Sequence, residues 1–338
     1  MRGDPRIARI RAATAAMVVM AAMAASVTMG SAAIAGQARH IPRQPGAPAW
    51  VHYMPAHPSA RPGHTASNLI YHGGPVMQKM SNTYAIFWEP KKLQNGDPAV
   101  VAKGYNAGII RYFKDVGGTG LYNNDTQYYQ VVGGKQQNIK NVSSFAASWV
   151  DTHPYPASGC TDEATPGNCL TDAQIQAEVT HAKQVNGWSS SPTNGFFVFT
   201  AGGEGSCFGA SGSCAFTTYC GYHGIFSGTM YANMPYGATH TPKPRIRIFC
   251  TRTALFPNQR AVDMETNILS HEHMEMVTDP ALNAWFDSSG EEIGDLCAYN
   301  YGTRDEDGGL ANQDWNGHFY LLQQEWDNHV SGCAQEGP

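Results

Sequence analysis

The sequence predicts an α+β protein in which a central mixed sheet packs against helices and disulfides staple the C-terminal region. The first observation is FFVFT at residues 196–200, an unbroken apolar run flanked by glycines that is typical of a buried strand. The second is the mixture of further strand-like runs with amphipathic helical segments. The third is a set of eight cysteines, all between Cys160 and Cys333. A sheet with helices against it is the simplest architecture that satisfies this order.

Three further stretches predict strands because apolar residues dominate them or alternate with polar ones. They are TYAIFW at 83–88, the run at 128–132, and the alternating basic and apolar residues at 245–249.

The first helix is predicted to start at Asp97-Pro98, since a capping residue followed by proline favours a helix start. Gly117-Gly118 should end it. Its apolar face is marked by Val101, Tyr105, Ile109, Tyr112 and Val116.

Two more helices are predicted from their caps. Thr171 and Gln174 form a capping-box pattern, which opens a helix that ends near Gly187. The last helix begins near Asn258 and ends before Pro280, because a residue preceding proline resists helical backbone angles.

The N-terminal part of the chain has two kinds of segment ahead of the main domain. Residues 1–35 resemble an export signal peptide, with four arginines, an Ala/Met/Val run and a predicted cleavage site after Ala35. Residues 36–67 are rich in proline, which predicts an extended arm or linker. Residues 68–338 should form a single globular domain. No other run is apolar and long enough to span a bilayer, so we expect a secreted, extracellular protein.

The even number of cysteines indicates an oxidising compartment and a disulfide framework. Cys160 with Cys169 and Cys207 with Cys214 could close short loops, but the connectivity does not follow from the sequence. A zinc knuckle is disfavoured because the chain has no Cys-x-x-Cys pair.

The stretch that says most about function is ILSHEHMEMVTDP at 268–280. On a helix, His271 and Glu275 lie at i and i+4 and project from one face, with Glu272 beside them. His273 falls about 200° around the helix from His271 and faces the other way. This is the geometry of a two-ligand metal clamp with a carboxylate base at its edge. The competing interpretation is an amphipathic helix whose charged side chains are solvated.

A catalytic zinc site usually has three protein ligands, so the helix needs a further ligand from elsewhere. The segment GEEIGDLC after the helix concentrates carboxylates beside a cysteine, and Asp295 is the preferred candidate. Glu292, His318 and Asp279 are the next candidates for this ligand. Asp279 lies one turn past Glu275 and suits a helix-end role better.

His223 is a further candidate because it lies in YCGYHG, between glycines and close to Cys220, where its loop should be held in place. It could stabilise an oxyanion opposite the metal, or it could hydrogen-bond within its own loop. Serine chemistry has no support, since the chain has no GxSxG motif.

Several pieces spread from Tyr71 to Cys333 together resemble a known family. In order they are YHGGPVM, YCGYHG, VTDP, EIGDLC and LLQQEWDNHVSGC. On these pieces the chain resembles the phosphate-induced protein 1 or EXORDIUM-like family, specifically its bacterial branch. The resemblance implies a cell-wall or growth-related extracellular protein with no settled chemistry.

A second resemblance is local. SHEHMEMVTDP is similar to the active-site helix of thermolysin-like zinc metallopeptidases, with Glu275 in place of the second histidine of HExxH. That family places its third ligand, a Glu, 24 positions after the first histidine, which corresponds here to Asp295. The resemblance implies His271, Glu275 and Asp295 on Zn²⁺, with Glu272 as general base. Two carboxylate ligands weaken the metal as a Lewis acid and make Ca²⁺ or Mn²⁺ alternatives.

The leading prediction is therefore a secreted zinc-dependent metallopeptidase-like hydrolase that acts on a peptide or protein substrate, with Glu272 and His223 as catalytic residues. We expect a monomer. The formal net charge of −5 argues against a nucleic-acid partner. The alternative is a non-catalytic, cell-wall-associated protein with a structural metal or a hydrogen-bonded helix. A carbohydrate-binding role belongs to the same alternative.

Overall fold

The computed structural model describes residues 44, 46–56, 67–208, 212–239, 250, 256–303 and 310–338. The predicted signal peptide at 1–35, the predicted strand at 245–249 and much of the predicted arm at 36–67 lie outside these residues. In the described part of the chain, no helix has the length and apolarity needed to cross a membrane.

The described residues form sixteen strands and four α-helices. The strands are β1 (Val51–Pro55), β2 (Ile70–Tyr71), β3 (Ser81–Trp88), β4 (Tyr129–Val132), β5 (Lys135–Asn138), β6 (Ser143–Asp151), β7 (Cys169–Thr171), β8 (Asn194–Thr200), β9 (Gly205–Cys207), β10 (Tyr219–Phe226), β11 (Thr229–Met234), β12 (Trp285–Phe286), β13 (Gln313–Trp315), β14 (His318–Tyr320), β15 (Glu325–Asp327) and β16 (Gly332–Ala334). The helices are α1 (Tyr105–Asp115), α2 (Gly120–Asn123), α3 (Asp172–Asn186) and α4 (Arg260–Thr278).

Six strands form a central mixed sheet in the order β1-β10-β11-β8-β3-β6. The run from β11 to β6 is parallel, whereas β10 pairs antiparallel with both β1 and β11. All seven residues of β8 are buried, as expected for an apolar strand inside a parallel ladder. The remaining strands form small two-stranded sheets. This arrangement confirms the predicted α+β class.

Helix α4 forms the core together with the central sheet. It packs against α1 and against β1, β10 and β11, and every residue from Ala261 to Thr278 is buried. Gly221 on β10 permits this close approach, because a Cβ there would lie 2.7 Å from Ile268 Cγ2. A helix buried all round has no polar face for solvent.

The predicted ends of α3 and the predicted C-terminal end of α4 are confirmed. The Thr171 and Gln174 capping box opens α3, and Gly187 closes it in the left-handed conformation at φ 69°. Asp279 caps α4, next to the predicted stop at Pro280.

The predicted start of α1 was wrong. Pro98 pairs with Lys92 in an isolated bridge, and α1 begins only at Tyr105, after Gly104 at φ 86°. A left-handed residue cannot lie inside a right-handed helix, so the chain turns at Gly104 before the helix starts. The buried face that includes Tyr105, Ile109 and Tyr112 is as predicted.

The edge strand β1 comes from within the segment predicted to be an extended arm. It pairs antiparallel with β10, and His52 faces His223 in the register. The predicted boundaries at residues 35 and 67 stay predictions, but this part of the arm belongs to the central sheet.

All eight cysteines form disulfides, which agrees with the expected disulfide framework. Two close the short loops that the sequence allowed, and one ties the segment after α4 to β16. The pairs are Cys160–Cys169, Cys207–Cys214, Cys220–Cys250 and Cys297–Cys333.

Candidate metal centre

Seven ionisable side chains from four segments converge at one end of α4. Helix α4 supplies three of them, the segment between β12 and β13 supplies two, and β1 and β10 supply one each. Every one of the seven is at most 7% exposed. They are His52, His223, His271, Glu272, Glu275, Glu292 and Asp295.

The structure brings the three predicted metal ligands together. His271 Nε2 lies 3.1 Å from Glu275 Oε1 and 3.5 Å from Asp295 Oδ1. One ligand atom from each of the three residues lies within 4.8 Å of the others. The i and i+4 spacing on α4 accounts for the first pair, and the loop after β12 returns the chain to bring in Asp295.

The unsatisfied atoms of these residues fit a metal ion. His271 Nε2, Glu275 Oε2 and Asp295 Oδ1 are buried and make no hydrogen bond. Buried polar atoms without partners cost free energy, and a cation bound among them would remove that cost. One imidazole and two carboxylates suit Zn²⁺, and Mn²⁺ also accepts such a set.

Gly294 and Gln323 pack against the ring of His271 on its Nδ1 side. A Cβ on Gly294 would lie 2.7 Å from His271 Nδ1, so only glycine leaves room for the ring. Gln323 Nε2 donates to Gly294 O and lies 2.9 Å from His271 Nδ1. With the amide nitrogen in this position, the neutral ring carries its proton on Nε2. Metal binding at Nε2 therefore requires Gln323 to turn its oxygen toward Nδ1.

Glu272, the predicted general base, is hydrogen-bonded at both oxygens. Oε1 accepts from the backbone N–H of Met54 at 2.9 Å, and Oε2 lies 3.2 Å from His223 Nδ1. Burial raises the pKa of Glu272 to about 7, although the charge of His271 favours the carboxylate form. Burial lowers the pKa of His223 to about 3, which keeps this imidazole neutral at pH 7.

Sequence reasoning missed His52. Its Nε2 lies 2.5 Å from Asp295 Oδ2, and its Nδ1 lies 3.2 Å from Glu292 Oε1. Burial disfavours the imidazolium form, but the charge and hydrogen bond of Asp295 outweigh burial and raise the pKa to about 9. The available signal was the short apolar run VHYMP with a histidine inside it, in a segment whose prolines suggested a linker.

The structure places the other candidates outside the cluster. His273 faces away from His271, as predicted, and contacts Ser81 Oγ at 3.0 Å. Asp279 has the expected helix-end role, because its Oδ1 accepts two backbone N–H groups that follow α4. His318 pairs instead with Asp115, 2.6 Å away.

The cluster is closed to solvent, which contradicts the interpretation of a solvated helix face. His271, Glu272 and Glu275 are fully buried. A cavity of about 180 Å³ lies beside the cluster, with His52 and Glu292 in its wall but not the three helix residues. Strand β1 covers Glu272 through the Met54 amide.

The fold and the cluster define a disulfide-bonded α+β protein with a buried centre of histidines and carboxylates. A segment of 97 residues is 32% identical to Protein EXORDIUM-like 5 of Arabidopsis thaliana. The match covers 23% of this chain and 26% of that protein, so the chain matches about a quarter of its relative. No family profile matches the chain, and no solved structure matches it. The similarity supports the EXORDIUM-like resemblance, whereas the bacterial branch and the thermolysin-like helix stay predictions.

Proposed function

We propose that the chain is an extracellular, zinc-dependent hydrolase that cleaves peptide bonds. The observation that carries this proposal is the convergence of His271, Glu275 and Asp295 beside Glu272, whose carboxyl group has a pKa near neutrality. The predicted thermolysin-like character of α4 supports peptides as the substrate class. Four disulfides, the predicted signal peptide and the EXORDIUM-like similarity support an extracellular location.

In this proposal His271, Glu275 and Asp295 hold the ion. A bound Zn²⁺ supplies a Lewis acid that polarises a carbonyl group and acidifies a water molecule. Because two of the three ligands are carboxylates, the set is more anionic than a histidine-rich one and supplies a weaker Lewis acid.

Glu272 holds and releases the proton in this proposal. A carboxyl group with a pKa of about 7 can both accept and return a proton at neutral pH. His223 Nδ1 donates to Glu272 Oε2 and fixes its position, while the Met54 amide fixes Oε1. His223 therefore orients the base, and its Nε2, which has no proton when Nδ1 donates, cannot serve the electrophilic role expected from the sequence.

The second candidate function is non-catalytic, with the ion or the hydrogen bonds serving only to hold α4 against the loop of Asp295. The observation that favours it is the closed centre. Glu272 is fully buried, and β1 lies over it through a backbone hydrogen bond. An enzyme needs substrate access to this residue, whereas a structural centre does not.

Hydrolysis of a fluorogenic peptide library by the purified protein separates the two functions. The proposal predicts cleavage that EDTA abolishes, and a loss of at least about 100-fold in Glu272→Gln, which removes the base. Metal content should be unchanged in that variant. His329→Ala, at an exposed histidine outside the centre, is the matched control and should retain activity. No cleavage by a metal-loaded wild-type protein would favour the structural function.

A further inference from the structure

We propose that the centre binds two metal ions, with a second ion held by His52, Glu275 and Glu292. This inference rests on the metal centre of the proposed function and extends it. One ligand atom from each of these residues lies within 4.8 Å of the others, the same convergence that the first set shows. The residues are at most 7% exposed.

One carboxylate is placed to bridge the ions. Glu275 belongs to both sets, with Oε1 at 3.1 Å from His271 Nε2 and Oε2 without a hydrogen bond. Asp295 presents Oδ1 to His271 at 3.5 Å, whereas its Oδ2 is already hydrogen-bonded to His52, Gln44 and the Glu292 amide and is not a ligand of the second ion. A carboxylate that offers one oxygen to each side is the group that links paired ions, which lie about 3.5–4 Å apart in hydrolytic centres.

An unsatisfied pair of atoms lies beside the second position. His223 Nε2 lies 3.7 Å from Glu292 Oε2, and both atoms are buried without a hydrogen bond. Because Nδ1 of the same ring donates to Glu272, Nε2 carries a lone pair. Two acceptors face each other when Glu292 is ionised. A cation between them makes this arrangement favourable, as does a proton on Glu292, whose pKa is raised by burial.

The charge of the cluster can accommodate two divalent ions. Four of its members are carboxylates, and their ion pairs within the described residues involve histidines alone. With all four carboxylates ionised and the imidazoles neutral, one divalent ion leaves two negative charges buried, and a second ion balances them. In the metal-free protein the raised pKa values of His52 and Glu292 reduce this charge instead. Uncompensated buried charge is strongly unfavourable.

Metal stoichiometry tests this inference. The purified protein is stripped with a chelator and titrated with Co²⁺, followed by d–d absorption and by mass spectrometry for bound metal. We expect two equivalents per chain for the wild type and one for His52→Ala. Glu292→Gln, which preserves side-chain shape, should also bind one and guards against misfolding of the first variant. His329→Ala, at an exposed histidine in none of the possible ligand clusters of the described residues, is the matched control and should bind two.

The outcomes separate this inference from the proposed function. One equivalent in the wild type, unchanged in His52→Ala and Glu292→Gln, would overturn the second ion and leave the first site intact. Binding of no metal by any form would overturn both. Two equivalents that persist in both variants would show that the second ion binds elsewhere, which also overturns the inference.

Discussion

At the scale of single residues, the centre depends on groups that are not ligands. Gln323 approaches His271 Nδ1 at 2.9 Å, and the absence of a Cβ at Gly294 leaves room for the ring. Such a partner selects which ring nitrogen carries the proton, and so decides whether Nε2 can bind a metal.

With its side-chain oxygen turned toward Nδ1, as metal binding requires, Gln323 orients the ring of His271. Gln323→Ala should then lower metal affinity by about 10-fold to 100-fold, the usual effect of losing a group that orients a metal-binding histidine. Competition with a chromophoric zinc chelator measures it. Gln324→Ala is the matched control, because Gln324 makes its backbone hydrogen bond to Asn300 and none to the centre. Equal affinity in the two variants would refute the orienting role of Gln323.

At the scale of elements, local signals predicted α3, α4 and β8 well because caps and apolar runs act within a few residues. They failed for α1, where a left-handed Gly104 overrode a good capping pair at Asp97. They also missed β1, whose conformation depends on pairing with β10 across the chain. Pairing between distant segments has little effect on the local sequence pattern, so the sequence did not identify His52 as a member of the centre. His271 and Glu275 were identified because they lie on one helix at a recognisable spacing.

Strand β1 should be held in place partly by the metal, since His52 ties it to Asp295 and Glu292. Chelation should therefore increase hydrogen exchange of the backbone amides of residues 51–54, because an edge strand depends on fewer ladder hydrogen bonds than a central one. Hydrogen exchange with mass spectrometry, with and without EDTA, measures this change. Helix α3 is the internal control and should be unaffected. Unchanged protection of β1 would show that the metal does not anchor it.

At the scale of the whole molecule, buried acids away from the centre set how stability depends on pH. Glu204 is fully buried, and neither of its carboxyl oxygens makes a hydrogen bond. Burial raises its pKa from the ordinary 4.5 to about 9, with a further contribution from Asp162. The folded protein therefore keeps this group protonated in a range where the unfolded chain ionises it.

The contribution of Glu204 to the free energy of unfolding is thus fully present below pH 4.5 and is lost as the pH rises toward 9. The slope is at most about 1.4 kcal/mol per pH unit for one proton. Glu204→Gln, which cannot ionise, should flatten the fall of the melting temperature between pH 5 and 9. Thermal unfolding at several pH values tests this. Parallel curves for wild type and variant would contradict it.

The central claim is that α4 and the loop of Asp295 form a metal centre, and anomalous X-ray diffraction at the zinc absorption edge tests it most directly. Crystals of the zinc-loaded protein should show an anomalous peak within about 2.0–2.2 Å of His271 Nε2 and of carboxylate oxygens of Glu275 and Asp295. The peak should vanish in His271→Ala. Zinc-loaded crystals without a peak at these residues would contradict the account and leave the cluster as a network of hydrogen bonds and ion pairs.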